Sequence, residues 1–348
     1  MAEKRNVDLL NLPLATIDMT EALENPEKIA PKVVKAMENE GFLYLRNIPG
    51  FKPDELLQWT KWFFNLPLET KMAISKKCFK EDNLNSFRGY FPVIPGGHSH
   101  KEAFETGSFG DFDPVKQQNQ KLINGRPLMR DVTSEGNSWP NTGTSDDEIY
   151  RKVMEYNYDI YRKTASQVLQ LIARGMGLDP NCFDYMFNPS PLATLRLIHY
   201  PSRVNFPPEE IPDEARDGDT LITTGEHADT TFITLLATFE NWGLQMLQND
   251  TWVDVPPIRD GLVMNIGALM TDLFGGRLKS TMHRVIDLGE DRYSVPFFYE
   301  PQFDTDISKT FDGKEIESIG RYHRYGPWMC NRTSQFKEYA TTDFGVLD

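Results

Sequence analysis

The chain has 348 residues, of which 39% are apolar and 25% are charged, a composition that is ordinary for a globular protein. At this length it can bury a substantial core within one large domain. The net charge of -14 and the isoelectric point near 5.0 argue against nucleic acids and anionic membranes as partners, since both attract basic proteins.

The cysteines and the N-terminus indicate a compartment. Cys78, Cys182 and Cys330 lie far apart, which excludes a disulfide framework and a cysteine metal site and favours a reducing environment. The chain begins without the apolar segment of a signal peptide, and no window approaches 18 uninterrupted apolar residues. We therefore predict a cytoplasmic protein, and we also expect a monomer.

The first half of the chain carries mainly helical periodicity. Residues 26–40 predict an amphipathic helix that ends at Gly41, residues 42–46 a strand, and residues 53–64 a second helix. Residues 80–148 are irregular and rich in Gly, Pro, Asn and Ser. The longest helical pattern covers residues 146–176, and we predict that this spine helix packs outside a β-structure.

From Ala193 onward the apolar period changes to two, which indicates strands. Eight strands are predicted, over residues 194–200, 221–224, 230–238, 244–248, 251–255, 261–266, 282–288 and 292–299. Their number favours a double-stranded β-helix, the jelly-roll or cupin-like core. We predict a mainly β, α+β fold in a single catalytic domain, 1–348. Its expected parts are a helical and mixed N-terminal wrap (1–190), the jelly-roll core with the metal site (191–302) and a C-terminal helical segment (303–348).

Two histidines and an aspartate suggest a metal site. His227 and Asp229 lie two positions apart in a run rich in Thr, Phe, Ile and Leu, a spacing that places two side chains on the same face of a strand, and His283 follows after 53 intervening residues. Two His and one carboxylate on one side of an ion, with other positions open, are typical of non-heme Fe(II) oxygenases. Zinc hydrolases usually take such ligands from a helical H-E-x-x-H, which this sequence lacks.

A second pair follows on the last predicted strand. Arg292 and Ser294 share a strand face, and a guanidinium beside a hydroxyl suits a carboxylate held in two-pronged fashion. Phe298 and Glu300 lie further along the same face. On another predicted strand Arg196 and Tyr200 also share a face, and an inward-facing Arg196 would need an anionic partner.

Together these motifs resemble the isopenicillin N synthase-like group of the 2-oxoglutarate/Fe(II)-dependent dioxygenases. The resemblance covers most of the chain and includes the H-x-D…H triad, the R-x-S pair and the segments Gly41–Tyr44, Leu66-Pro67…Lys71, Trp252–Pro256 and Asn265–Gly267. It implies Fe(II), 2-oxoglutarate and O2 as cofactors, with ascorbate as a candidate reductant. It also implies that His227, Asp229 and His283 bind the metal, and that Arg292, Ser294 and Tyr200 bind 2-oxoglutarate.

The resemblance implies an enzyme that oxidises a C–H bond of a small molecule in specialised metabolism, by hydroxylation, desaturation or ring closure, while 2-oxoglutarate and O2 become succinate and CO2. A carboxylate- or amine-bearing substrate is expected. Further residues are predicted to line the substrate pocket or to support the metal ligands: Phe104, Thr106, Arg196, Phe232, Asn265, Phe298 and Glu300. For Glu300, a salt bridge at the rim is the favoured expectation.

Two other functions remain open at this point. Isopenicillin N synthase and aminocyclopropane carboxylate oxidase carry the same motifs but use no 2-oxoglutarate, so this chain could be an Fe(II) oxidase of that type. A non-catalytic binding protein on the same fold is the other alternative. Its ligand would not need three metal-binding side chains beside an Arg–Ser pair, which argues against it.

Overall fold

The computed structural model describes residues 13–97, 99–336, 339 and 341–347. The strands in these residues are β1 (Thr16–Asp18), β2 (Phe42–Arg46), β3 (Gly89–Phe91), β4 (Glu102–Thr106), β5 (Leu122–Ile123), β6 (Arg126–Pro127), β7 (Thr194–Tyr200), β8 (Arg216–Asp217), β9 (Thr220–His227), β10 (Ile233–Ala237), β11 (Leu244–Gln248), β12 (Thr251–Asp254), β13 (Gly261–Ile266), β14 (His283–Asp287) and β15 (Arg292–Tyr299).

The helices surround these strands. They are α1 (Met19–Glu24), α2 (Pro26–Asn39), α3 (Pro53–Phe64), α4 (Leu68–Met72), α5 (Pro114–Gln118), α6 (Met129–Thr133), α7 (Asp146–Gly175), α8 (Asp184–Phe187), α9 (Ala268–Leu273) and α10 (Tyr325–Thr333). Short 3-10 helices cover Pro208–Glu210, Asp213–Ala215 and Glu317–Ile319.

Two sheets form the core. The larger, eight-stranded sheet has the order β1-β2-β13-β10-β15-β7-β4-β3, and the smaller, five-stranded sheet has the order β12-β11-β14-β9-β8. Their strand pairs are antiparallel apart from the parallel pair of β1 and β2. Strands β5 and β6 form a separate hairpin.

Strand β15 divides its side chains between a helix and the interior, because alternate residues point to opposite faces of a strand. Phe297 contacts Tyr158 and Tyr161 of α7, with ring centroids 5.2 and 5.6 Å apart, and the Tyr161 hydroxyl donates a hydrogen bond to the Val295 carbonyl. The odd-numbered positions thus bind the spine helix. The even-numbered positions, from Arg292 to Phe298, face the space between the sheets.

The predicted fold class is confirmed: two curled antiparallel sheets form a jelly-roll core beneath a long helix, α7. The four predicted strands that begin at residues 194, 244, 261 and 292 have the predicted limits. The larger sheet also takes β1 to β4 from the N-terminal region, and β2 pairs along β13.

No helix within the described ranges combines the length and the apolar character needed to cross a bilayer. Residues 1–12, which form most of the segment where we predict no signal peptide, lie outside the described part of the chain.

Candidate active site

Pairing of β9 with β14 brings two distant histidines together. His227 ends β9, His283 begins β14, and the two are register partners with ring centroids 4.3 Å apart. Asp229 follows β9 by two residues, and its Oδ1 lies 3.7 Å from His227 Nε2 and 3.8 Å from His283 Nε2. One ligand atom from each of the three residues thus lies within 4.8 Å of the others.

Hydrogen bonds orient both imidazoles. Nδ1 of His227 lies 2.9 Å from the Gly225 carbonyl oxygen, and Nδ1 of His283 lies 3.1 Å from the Thr281 carbonyl oxygen. A carbonyl only accepts, so Nδ1 of each ring carries the proton and Nε2 keeps its lone pair. Both lone pairs are therefore on the nitrogens nearest Asp229, an arrangement that is usual for metal-bound histidines.

The Asp229 carboxylate has its two oxygens in different environments. Oδ2 accepts hydrogen bonds from the Thr234 hydroxyl at 2.6 Å and from the Asn265 amide at 2.8 Å. Oδ1 is left toward the two histidines. Thr234 lies on β10 and Asn265 on β13, so the larger sheet orients a carboxylate that acts together with histidines of the smaller sheet.

Burial and neighbouring charge favour the forms that bind a cation. Burial lowers the pKa of His227, and the nearby His283 lowers it further. Burial raises the pKa of Asp229, but the two imidazoles and the hydrogen bonds to Asp229 lower that pKa by more, so it lies below its ordinary value. A carboxylate and neutral imidazoles are the forms that ligate a metal. The three side chains therefore fit an Fe(II) site with open positions.

Arg292, at the start of β15, is a buried cation with unused hydrogen-bond donors. Its Nε donates to the Trp242 carbonyl oxygen at 3.1 Å, whereas Nη1 and Nη2 have no partner in the described part of the protein. Burial lowers the pKa of Arg292, and the neighbouring Tyr200 only partly opposes this shift, although a guanidinium stays charged in proteins. Two donor nitrogens without partners on a buried cation fit a carboxylate of a bound molecule, such as that of 2-oxoglutarate.

Tyr200 and Ser294 lie where they can complete this site. Tyr200 is the β7 register partner of Arg292, and the guanidinium lies 4.8 Å from the Tyr200 ring centroid. Ser294 is buried two positions along the inward face of β15. The structure therefore brings together all three residues predicted to hold 2-oxoglutarate.

A cavity of about 340 Å³ opens onto the histidine–aspartate cluster. Both sheets and the C-terminal segment contribute to its lining, which includes Lys101, Arg196, His227, Asp229, Phe298, Glu300, Phe336 and Tyr339. A volume of this order suits a small molecule. Of the predicted pocket residues, Arg196, Phe298 and Glu300 therefore line the cavity, and Asn265 lies behind Asp229, where support of a metal ligand was expected.

Three of the predicted pocket residues are instead in the core, which corrects the expectation. Phe104 is fully buried 4.6 Å from the ring centroid of Phe63, and the Thr106 carbonyl accepts a hydrogen bond from Arg88. The opposite face of β4 is the one that reaches the cavity side, because Glu105 pairs with Arg196. The prediction chose the wrong face of β4, because neighbouring residues of a strand point to opposite faces.

Phe232 is also a core residue rather than a pocket wall. It packs against Phe183 and Phe187, with ring centroids 5.5 and 5.4 Å away. The predicted strand over residues 230–238 begins only at Ile233, so the alternation used to place Phe232 does not extend to it.

The predicted rim salt bridge of Glu300 is wrong. Its side chain is 7% exposed, and its Oε1 accepts a hydrogen bond from the Tyr325 hydroxyl at 2.8 Å. No ion pair of Glu300 occurs in the described residues, since the chain turns inward after β15. Sequence reasoning also missed Tyr339 and Phe336, which reach the cavity from the C-terminal segment without any local pattern that marks them.

Two family models match the chain. The 2OG-Fe(II) oxygenase superfamily model matches residues 193–301, and the model for the N-terminal region of non-haem dioxygenases in morphine synthesis matches residues 12–131. The chain is 32% identical over 284 residues to the 2-oxoglutarate-Fe(II) type oxidoreductase hxnY of Emericella nidulans, covering 78% of this chain and 74% of the relative. It is 31% identical over 329 residues to the 2-oxoglutarate-dependent dioxygenase tropC of Talaromyces stipitatus, covering 88% and 90%.

Solved structures agree with these sequence matches. A full-length protein of Neurospora crassa, crystallised in complex with alpha-KG and 5-formyluracil, superposes with a TM-score of 0.71 at 26% identity and covers 96% of this chain and 98% of its own. The similarity therefore spans the helices, both sheets and the C-terminal segment.

Proposed function

Because the chain belongs to the 2-oxoglutarate- and Fe(II)-dependent dioxygenases, we propose that its cavity binds a small molecule and that the protein oxidises a C–H bond of it. The cofactors of the family are Fe(II), 2-oxoglutarate and O2. The proposal is carried by the convergence of His227 Nε2, His283 Nε2 and Asp229 Oδ1 beside this cavity, which His227 and Asp229 line.

His227, Asp229 and His283 would hold Fe(II), and Arg292, Ser294 and Tyr200 would hold 2-oxoglutarate. Iron with 2-oxoglutarate supplies the oxidising chemistry, in which the cosubstrate is converted to succinate and CO2. The chain's own residues position the reactants. Gly225 and Thr281 hold the two imidazoles, Thr234 and Asn265 hold the carboxylate, and the unused donors of Arg292 select an anionic cosubstrate.

We propose that the cosubstrate and the substrate use different parts of one strand and the residue after it. Arg292 begins β15, Phe298 lies near its other end and Glu300 follows the strand. At roughly 3.3 Å per residue, Arg292 and Phe298 are about 20 Å apart along the strand. Phe298 and Glu300 line the cavity together with His227 and Asp229, whereas Arg292 does not. A substrate in the cavity would therefore not compete with 2-oxoglutarate for the Arg292 side chain.

The alternative of a 2-oxoglutarate-independent oxidase is not favoured, since the relatives are described as 2-oxoglutarate-dependent and the structural neighbour holds alpha-KG. The structural neighbour also holds 5-formyluracil, a small ring compound. We propose a substrate of similar size in specialised metabolism, oxidised by hydroxylation, desaturation or ring closure. Ascorbate as a reductant, a monomeric state and a cytoplasmic location remain predictions from the sequence.

The test is an anaerobic titration of the purified protein with Fe(II) and then 2-oxoglutarate, followed by visible spectroscopy. Chelation of iron by 2-oxoglutarate is expected to produce a weak metal-to-ligand charge-transfer band. Admission of O2 should then release succinate, with and without ascorbate. Iron binding without the band would contradict the assignment of 2-oxoglutarate as the cosubstrate, and no iron binding would contradict the metal site.

A further inference from the structure

Glu300 is a buried carboxyl group with one oxygen left for a ligand. Oε1 accepts the hydrogen bond of Tyr325, whereas Oε2 has no hydrogen-bond partner in the described part of the chain. The side chain is 93% buried and lines the cavity. Oε2 is therefore available to accept a hydrogen bond from a molecule in the cavity. Burial raises the pKa of Glu300 to about 7.

Arg196 lines the same cavity and is held rigidly. Its Nε donates to Glu105 Oε1 at 2.7 Å, and its Nη2 lies 3.3 Å from the Tyr339 hydroxyl oxygen. Glu105 is also paired with buried Lys76 at 2.7 Å. Burial raises the pKa of Glu105, but Arg196 and Lys76 lower it by more, to about 2. An ionised anchor therefore fixes the Arg196 guanidinium.

Phe298 lines the same cavity and contacts Arg196. The Arg196 guanidinium carbon is 4.7 Å from the centroid of the Phe298 ring, and Glu300 follows Phe298 by two residues, about 7 Å along the chain. The wall therefore combines a flat aromatic surface, a group that only donates hydrogen bonds and a group that accepts them when ionised.

We propose that Glu300 and Arg196 select a planar cyclic amide, with the ring N–H bound to Glu300, the adjacent carbonyl oxygen bound to Arg196 and the ring against Phe298. This inference rests on the proposed function and specifies its substrate class. In a cyclic amide the N–H and the C=O point outward side by side and cannot bond to each other. A phenol with a neighbouring acyl group uses its own carbonyl as acceptor, so its donor is not available to Glu300.

The charges of the cavity lining favour a neutral cyclic amide over the amine and carboxylate substrates expected from the sequence. An ammonium group bound to Glu300 would lie near the Arg196 cation, and Lys101 adds a second cation to the lining. A carboxylate bound to Arg196 would lie near Glu300. Like charges at short distance in a buried site are costly. A ring N–H next to a carbonyl oxygen can bond to Glu300 and Arg196 without adding charge.

The experiment compares 2-pyridone with N-methyl-2-pyridone, which lacks the N–H. Each is added anaerobically to the full chain loaded with Fe(II) and 2-oxoglutarate, and binding is followed by calorimetry and by the shift of the charge-transfer band. The wild-type protein should bind 2-pyridone at least roughly tenfold more tightly, since a hydrogen bond to a charged group has this value. In Glu300→Gln the amide oxygen would accept the Tyr325 hydrogen bond, which places the NH2 donor toward the cavity, so the difference should be abolished. Glu290→Gln, at an exposed carboxylate between β14 and β15, should retain it.

Benzylamine, benzoate and 2-hydroxyacetophenone represent the competing classes. Tighter binding of any of them than of 2-pyridone would overturn the inference, as would equal binding of the two pyridones or no binding of 2-pyridone to a protein with a normal band. The wild-type comparison needs no variant, so it stands even if Glu300→Gln does not fold. Absence of the band in the wild-type protein would overturn the proposed function, and this inference with it.

Discussion

The rings of His227 and His283 lie with their centroids 4.3 Å apart because β9 and β14 pair with these two residues in register. The 55 residues between them leave by β10 and return by β14, so the sheet itself brings two of the three ligand side chains together. Both imidazoles are oriented by main-chain carbonyls before any metal binds.

Replacement of a ligand should abolish tight iron binding. His227→Ala and Asp229→Ala each remove one of three protein ligands. The loss of Fe(II) affinity should exceed the roughly 10- to 100-fold that removal of a ligand's hydrogen-bond partner costs. Anaerobic Fe(II) titration measures it. His323→Ala, at an exposed histidine remote from the cluster, is the matched control and should bind iron normally. Retention of tight binding by either ligand variant would refute the site.

Removal of an Asp229 partner should have a smaller effect on the same titration. Asn265→Ala deletes the amide that donates to Oδ2 and leaves the Thr234 hydroxyl in place. We expect Fe(II) affinity to fall roughly 10- to 100-fold. The charge-transfer band should still form at saturating iron, because all three ligands remain. An affinity equal to that of the wild-type protein would show that Thr234 alone orients the carboxylate.

Arg292→Gln should affect the apoprotein and the cosubstrate complex in opposite directions. Two unused donors of a buried cation destabilise the apoprotein, so its free energy of unfolding should stay the same or increase. Affinity for 2-oxoglutarate should fall roughly 30- to 1000-fold, since that ligand loses its buried charge partner. Urea unfolding with and without 2-oxoglutarate tests both effects.

Arg126→Gln is the matched control for Arg292→Gln, because Arg126 forms a half-exposed pair with Asp343. Surface pairs of this kind contribute little to stability. If 2-oxoglutarate stabilised Arg292→Gln as strongly as it stabilises the wild-type protein, the cosubstrate would be held elsewhere.

Binding of a cyclic amide should depend on pH through Glu300. Burial raises the pKa of its carboxyl group to about 7, with Glu105 raising it further, while Tyr325, Arg88 and Arg196 lower it. The ionised carboxylate accepts the ring N–H in a charge-assisted hydrogen bond, which is stronger than the bond to the carbonyl oxygen of the neutral acid, so affinity should rise with pH and level off above the pKa. The dissociation constant of 2-pyridone should fall several-fold, and by no more than roughly tenfold, between about pH 6 and about pH 8. The affinity of Glu300→Gln should show no such change. A wild-type affinity that does not depend on pH would contradict the role of Glu300 as acceptor of the ring N–H.

Sequence periodicity was sufficient for the strands that carry Arg196 and Arg292, since interior strands have a side-chain period of two. It did not reach His227, because the strand predicted over residues 221–224 extends to His227 in the structure. The same rule misplaced Phe104 and Thr106, because β4 lies in an irregular region where nothing in the sequence sets the parity. Phe232 was misplaced because β10 begins at Ile233, so Phe232 lies just before the strand.

Other features depend on contacts that no local pattern encodes. Glu300 continues the inward parity of β15, but its burial depends on Tyr325, which belongs to the C-terminal helix α10. Tyr339 reaches Glu105 across 234 positions. Tertiary packing alone specifies such pairs.

The pairing of β2 with β13 affects how the chain can be divided for experiments. A fragment limited to residues 191–302 would lack β2 and β4, which pair with β13 and β7 at the two borders of the central strands. Both borders would then present unpaired main-chain N–H and C=O groups along apolar strands, which promotes intermolecular association. Expression of the jelly-roll region by itself is therefore expected to yield aggregates, and deletion series should retain residues 13–106.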